Sequence, residues 1–148
     1  MEKTVGAELK QFVVFNLGKE EYGLDIQKVT TIEKLMTIAR VPKTPKFIKG
    51  VINLRGEIIP TVDLRTRFNL PEIDETEDTR IIIIKIDELS VGLIVDLVLE
   101  VLQLAEDSME NITSFSSDLS MDYILGVGKI DGRIITLLNL EKLIKIQD

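Results

Sequence analysis

The sequence contains one unit twice, and this duplication restricts the chain to folds that can be built from two similar halves. Residues 47–64 align without gaps with residues 123–140 at a constant offset of 76 positions. Seven residues of the first segment meet an identical residue in the second: Ile48, Gly50, Val51, Gly56, Ile58, Ile59 and Leu64. Residues 11–32 align with residues 80–101 at an offset of 69, with identities at Gly23, Leu24 and Val29. The two aligned blocks have different offsets because the second copy has a longer connection between them, and this pattern indicates duplication.

Each copy begins with the pattern of a strand, a turn and a second strand. The first strand is predicted at residues 11–17, and at residues 80–86 in the second copy. The second strand begins near Tyr22 or Val91, after a short polar turn. Both segments are rich in β-branched and aromatic residues, which favour strands over helices.

Each copy ends with a hairpin and a short helix. Residues 55–56 and 131–132 predict tight hairpin turns, because Gly tolerates the positive φ angles of such turns and Asp-Gly is a strong turn signal. Closing helices are predicted at residues 64–68 and about 140–146, with Asn139 as the N-cap of the second helix.

The spacing of apolar residues between these parts fits two structures. Ile26, Val29 and Ile32 are three residues apart, and Val95, Val98 and Val101 repeat the pattern. One face of a short helix would give this spacing, whereas the β-branched side chains favour a twisted strand. The sequence leaves the choice open.

The predicted fold is therefore mainly β, with two small barrels of about five strands each, since closure of a barrel removes exposed strand edges. The first subdomain is expected at about residues 8–70 and the second at about residues 80–140. A charged linker, residues 71–79, joins them. A strand or helix of one half could still cross to complete the other.

The composition excludes several kinds of function. The sequence has no His and no Cys, which removes zinc sites, Ser-His-Asp triads and Cys-His dyads. Carboxylate or lysine chemistry remains possible, and we expect neither a cofactor nor a metal. The net charge of −7 argues against binding to nucleic acid or to an anionic membrane surface. The longest apolar run, residues 81–84, is too short to span a bilayer, and residues 1–6 lack a signal sequence, which predicts a cytoplasmic protein.

Two features favour binding to other proteins. Arg55 lies at a predicted hairpin turn where the second copy has Asp131, so the two copies could have divided their binding tasks. An exposed charge at a hairpin tip is the simpler interpretation. Val29 and Ile32 either belong to the core or line an apolar groove between the barrels, which would suit a partner helix.

Four segments closely resemble the CheW-like domain of bacterial chemotaxis. They read EEYGLDI at residues 20–26, PKFIKGVINLRG at 45–56, IPTVDLR at 59–65 and ILGVG at 124–128. The resemblance covers almost the whole chain. It implies two five-stranded SH3-like barrels, in agreement with the duplication.

The resemblance also implies a function. Members of this family couple membrane chemoreceptors to the histidine kinase CheA, whose regulatory domain is homologous to them. Their receptor-binding surface lies in and near the groove between the barrels. The matching positions are Val29, Gly50 and Arg55, and Ile26, Ile32 and Val98 lie nearby by pattern.

One position departs from the family pattern. An acidic residue often follows the matched Val29 by two positions, but this chain has Thr31 there and Glu33 further along. If that acid pairs with Arg55 in relatives, the pair is absent or rearranged here.

The sequence thus predicts a non-catalytic adaptor in the cytoplasm, recruited to membrane receptor arrays. One surface would bind the cytoplasmic tip helices of a chemoreceptor, and another the regulatory domain of CheA. Two alternatives remain open at this point. One is a related coupler that serves a different kinase pathway, and the other is a carboxylate-dependent hydrolase.

Overall fold

The computed structural model describes residues 9–105, 109–110 and 123–144. Three predictions concern residues outside these ranges. They are the expected absence of a signal sequence at residues 1–6, the end of the closing helix at residues 145–146, and most of the connection at residues 104–122. In chain order the strands are β1 Leu9–Leu17, β2 Glu20–Asp25, β3 Val29–Lys34, β4 Ile48–Leu54, β5 Glu57–Asp63, β6 Arg80–Ile86, β7 Leu89–Val95, β8 Leu97–Ala105, β9 Met109–Glu110, β10 Ile124–Ile130 and β11 Arg133–Leu138. The helices are a 3-10 turn at Ile26–Lys28, α1 at Leu64–Arg67 and α2 at Leu140–Leu143. The fold is mainly β, as predicted.

The strands form two sheets, and each sheet takes strands from both sequence copies. Sheet I has the order β8-β1-β2-β11-β10-β9, and sheet II has the order β3-β6-β7-β5-β4. Sheet II is therefore built from the continuous segment 29–95, whereas sheet I combines residues 9–25 with strands after residue 96. The charged segment 71–79 separates the sequence copies but not the sheets.

The pairing registers repeat between the sheets at the two sequence offsets. Leu137 pairs with Gly23 in the parallel contact of β11 with β2, and the equivalent Thr61 pairs with Gly92 in the contact of β5 with β7. The pairs β1–β8 and β3–β6 each contain a bulge at the same equivalent place, as do the pairs β4–β5 and β10–β11. The duplication read from the sequence is thus present in the hydrogen bonding of the backbone.

The central strands are buried on both faces. Ile82 and Ile84 of β6 pack into a core shared by both sheets, while Ile81 and Ile83 pack into the interior of sheet II. All four are at most 2% exposed. A strand covered on both sides needs apolar residues at successive positions, which explains the run of four isoleucines. We call the shared cluster the inter-sheet core; its strand residues include Val13, Phe15, Leu17, Tyr22, Leu24, Val62, Ile82, Ile84, Ile86, Val91, Leu93, Val95 and Leu138.

Both predicted hairpin turns are confirmed. Arg55 and Gly56 have φ angles of 52° and 89°, and Asp131 and Gly132 have φ angles of 50° and 79°. Two successive positive φ values match the right-handed twist of the flanking strands. Asn139 caps α2 as expected, since its side chain accepts a hydrogen bond from the Lys142 amide.

The open question about residues 26–32 has a mixed answer. Ile26 begins a 3-10 turn, and Val29 and Ile32 belong to the strand β3. This segment is the place where the chain passes from sheet I to sheet II. The equivalent segment of the second copy passes from β7 to β8 through the single residue Asp96.

Candidate functional site

Four of the six residues predicted to bind a receptor belong to the two segments where the chain changes sheets. Ile26, Val29 and Val98 are half-buried and pack against the inter-sheet core. Val29 lies opposite Ile84 in the strand pair β3–β6. Directly opposed residues share a face of a sheet, so Val29 extends the inter-sheet core toward its rim.

The same face continues into solvent on both crossing strands. Ile32 lies opposite Ile82, a residue of the inter-sheet core, but its own side chain is exposed. Val101 lies opposite Val13 in the second copy, and it is exposed in the same way. We call Ile26, Val29, Ile32, Val98 and Val101 the apolar rim.

Val101 is not among the residues that the sequence predicts to bind a receptor. The signal was available, because Val101 follows Ile32 at the same offset of 69 that relates Val98 to Val29. The symmetric exposure of the two side chains makes them equivalent candidates for contact with a partner.

Gly50, in contrast, does not offer a surface. It is buried in β4, and a Cβ atom at this position would overlap the carbonyl oxygen of Ala39. The Ala39 amide donates to Val51 and the Val51 amide donates to Ala39, at 2.9 and 2.8 Å. The structure therefore gives Gly50 a packing role: it allows the segment before β4 to lie close against that strand.

Arg55 lies at the exposed tip of the β4–β5 hairpin. Its side chain is 76% exposed, and its Nη2 atom is 3.8 Å from Oε2 of Glu33 on β3. The hydroxyl of Thr31 donates to the same Glu33 oxygen at 3.0 Å. Glu33 thus pairs with Arg55 in this chain, and Thr31 supports that carboxylate. Because β3 and β4 are opposite edges of sheet II, the ion pair also shows that the sheet curls.

The second copy carries a different charge arrangement. Arg133 contacts two carboxylates, with Nη2 2.7 Å from Glu21 and 2.8 Å from Glu100. The hydrogen bonds that Arg133 donates to Glu21 and Glu100 raise the pKa of its guanidinium, so its charge is fixed. The tip residue Asp131 lies beside this group on the β10–β11 hairpin. The two related hairpins therefore have the same backbone conformation but present different charges.

An ion pair holds each sheet crossing in place. At the crossing from β7 to β8, Arg65 of α1 donates to both oxygens of Asp96, and the Gly18 amide donates to the same carboxylate. At the other crossing, Lys28 lies 3.2 Å from Glu141 of α2. Glu141 is the equivalent of Arg65 at the offset of 76, so the polarity of the pair is reversed between the copies.

An aromatic cluster joins the copies near the closing helices. The guanidinium carbon of Arg67 lies 4.2 Å from the ring centre of Phe47 and 4.9 Å from that of Tyr123. Phe47 and Tyr123 are equivalent residues of the two copies, so one cation contacts the same position twice. Such a contact fixes the beginnings of the two hairpins relative to each other.

The described part of the chain contains neither a membrane-spanning helix nor a metal-binding cluster. Both α-helices are short, and none of the described helices is long and apolar enough to cross a membrane. Within residues 9–105, 109–110 and 123–144, no group of three or more His, Cys, Asp or Glu side chains could hold a metal ion.

Comparisons with known proteins agree on one family. The model of the CheW-like domain matches residues 11–148. The chemotaxis protein CheW of Klebsiella aerogenes is 38% identical over 146 residues, which cover 99% of this chain and 86% of the relative. The chemotaxis protein CheW of Bacillus subtilis is 37% identical over 139 residues, which cover 90% and 87% of the two chains.

A solved structure extends this agreement to the fold. The scaffolding protein TtCheW from Thermoanaerobacter tengcongensis is 39% identical to this chain, and the match has a TM-score of 0.88 over 95% of each chain. The resemblance found in the sequence is therefore confirmed, and so is the mainly β fold. The chain belongs to the CheW family of chemotaxis proteins, and it is an adaptor rather than an enzyme.

Proposed function

We propose that this chain couples chemoreceptors to the histidine kinase CheA by binding both proteins at once. The observation that carries the proposal is the apolar rim, an exposed extension of the inter-sheet core in a chain of the CheW family. A rim of this kind suits the apolar face of an amphipathic helix, such as the cytoplasmic tip of a receptor.

The rim residues would contact the receptor, and Arg55 would contribute a charge beside them. Glu33, which pairs with Arg55, follows Ile32 directly on β3, so the hairpin tip contacts the strand that carries Ile32, on the opposite face of that strand. Gly50 would act indirectly, by fixing the segment that precedes β4. Receptor contact at the rim leaves the outer surfaces of both sheets available for the regulatory domain of the kinase.

The coupling mechanism follows from simultaneous binding. A receptor that changes shape can alter the kinase through the adaptor only if the adaptor binds one state of the assembly more tightly than the other. The chain would act on the cytoplasmic side of receptor arrays in the membrane. A related coupler for another kinase pathway is not favoured, because the relatives at 37–38% identity named above are chemotaxis proteins.

The test compares two matched substitutions in the full chain. Ile32→Lys places a charge on the apolar rim, and Ile134→Lys places the same charge on an exposed apolar residue of β11. We expect Ile32→Lys to weaken binding to receptor-containing membranes by about tenfold or more, since a buried unpaired charge is costly. The Ile134 variant should bind the receptor like the unmodified chain.

Arg55→Glu supplies the second measurement. Binding to the receptor and to full-length CheA is measured separately, and receptor-dependent kinase activity is assayed with each variant. Unchanged receptor binding in both Ile32→Lys and Arg55→Glu would remove the rim and the tip from the receptor surface. Failure of the unmodified chain to support kinase activation with its own partners would contradict the coupling role itself.

A further inference from the structure

One segment of this acidic chain carries a net positive charge. Residues 34–49 contain five cationic side chains and no Asp or Glu. The cations are Lys34, Arg40, Lys43, Lys46 and Lys49. The whole chain has a net charge of −7, so the remaining residues together carry −12. An acidic ligand is repelled by most of the surface and attracted to this segment, which steers its approach.

Four of these cations line one concave surface. Arg40, Lys43, Lys46 and Lys49 surround a hollow of about 760 Å³. All four are exposed, and among the described residues none of them forms an ion pair within 4.0 Å. Apolar residues lie between them in the lining, including Ile38, Val41 and Ile48. The lining of the hollow therefore combines apolar side chains with positive charges that have no ion-pair partner among the described residues.

The backbone of the segment is held in place before any ligand arrives. Ala39 exchanges two hydrogen bonds with Val51, made possible by the absence of a side chain at Gly50. The Thr44 hydroxyl donates to the Val41 carbonyl at 3.0 Å, and the Ile48 amide donates to Pro45 at 3.0 Å. A surface that is already ordered loses less conformational entropy when it binds a ligand.

We propose that residues 34–49 form a basic docking surface for an acidic peptide segment of a partner protein, with an apolar residue of that peptide packed against the apolar side chains that line the hollow. The concave shape favours a peptide over a flat membrane. The lining also contains three carboxylates, Asp63, Glu72 and Glu75, which would oppose the approach of an anionic membrane but are outnumbered by the four cations. This surface is separate from the apolar rim and does not depend on receptor binding there.

The test uses a fluorescent synthetic peptide of alternating Glu and Leu as the probe, and the full chain as the protein. The triple variant Arg40→Glu/Lys43→Glu/Lys46→Glu should bind the probe about tenfold or more weakly, since three weakly attractive exposed charges are replaced by three repulsive ones. The control is Lys10→Glu/Lys19→Glu/Lys85→Glu, which makes the same change in net charge at exposed positions outside the segment. It should reduce affinity by less than about threefold.

Neutralising two of the lining carboxylates should change the affinity in the opposite direction. Glu72→Gln/Glu75→Gln should bind the probe more tightly, by about twofold to fivefold, because it removes repulsion from exposed carboxylates. Circular dichroism spectra establish that each variant is folded.

Three results would overturn the proposal. The first is an equal loss in the control and the triple variant, which would mean that only net charge matters. The second is tight binding to vesicles of anionic phospholipid with no binding to the peptide. The third is a weaker affinity after removal of Glu72 and Glu75, which would mean that the hollow does not select acidic ligands.

Discussion

The ion pair between Arg65 and Asp96 should contribute far more to stability than its counterpart in the other copy. Asp96 accepts hydrogen bonds from the Gly18 amide at 2.7 Å and from Nη2 of Arg65 at 2.6 Å. The side chains of Arg65 and Asp96 are only 13% and 20% exposed, whereas those of Lys28 and Glu141 are 39% and 58% exposed. The duplication thus supplies a matched control within one molecule.

The substitutions are Asp96→Asn and Glu141→Gln. Asp96→Asn removes the charge and turns an amide donor toward a guanidinium that can only donate. We expect a loss of about 2 kcal/mol in the free energy of unfolding, near the middle of the range for hydrogen bonds to charged groups. Since the chain is of intermediate size, this loss lowers Tm by about 4–8 °C. Glu141→Gln should cost less than about 0.5 kcal/mol, as exposed pairs do.

The pH dependence gives an independent check. Burial opposes ionisation of Asp96, but hydrogen bonds from Arg65 and Gly18 and the attraction of the guanidinium outweigh it and lower the pKa below the ordinary value of 3.8. A carboxyl with a lowered pKa in the folded state adds stability above its unfolded pKa, and this stability is lost as the pH falls through the folded pKa. The difference in the free energy of unfolding between the unmodified chain and Asp96→Asn should therefore be constant above about pH 4 and disappear in more acidic solution.

Urea unfolding followed by circular dichroism measures both effects. The variants Asp96→Asn, Arg65→Gln and their combination form a double-mutant cycle, in which we expect a coupling energy of about 1 kcal/mol or more. Equal small losses for Asp96→Asn and Glu141→Gln would refute the reasoning, because burial would then make no difference between the pairs. If the difference in stability persisted in strong acid, the charge of Asp96 could not be its source.

Two further predictions concern single residues. Gly50→Ala should lower the free energy of unfolding in urea by about 3 kcal/mol or more, because the new Cβ would overlap the Ala39 carbonyl. Gly56→Ala should lower it by about 1 kcal/mol, since only the positive φ of Gly56 opposes a side chain. Similar losses for the two variants would show that the close approach at Gly50 is unimportant. Burial, aided by Glu20, raises the pKa of Tyr22 to about 12, so an ultraviolet titration of a variant lacking the other tyrosine should have its midpoint there. Stability should fall as the pH rises from the ordinary pKa of 10.0 toward that value, and a midpoint near 10.0 would contradict the burial of the ring.

The sequence predicted those features that depend on neighbouring residues. The two hairpin turns follow from dipeptides that tolerate positive φ, and the cap of α2 follows from Asn139 alone. The duplication predicted equivalent positions, and the repeated bulges and registers agree with it. These features could be found because short-range geometry and identical residues are visible without knowing which strands pair.

The features that the sequence did not reveal depend on contacts between distant residues. Nothing in β3 or β6 indicates that they pair with each other, because any apolar strand can in principle pair with any other. Asp96 and Arg65 are 31 positions apart, and only the folded chain brings them together. Gly50 was recognised as a shared position, but its burial against Ala39 requires the path of the preceding segment. The family resemblance indicated where the apolar rim lies, but it could not show that Ile32 and Val101 are exposed.

The exchange of strands between the sheets has a consequence for the folding of the chain. Within a single copy the β1–β2 and β4–β5 hairpins lie in different sheets, and their other ladder partners all come from the second copy. Neither sheet can therefore be completed before strands of both copies are available. Because pairings between residues far apart in the sequence slow folding, we expect this chain to fold more slowly than one whose strands pair locally.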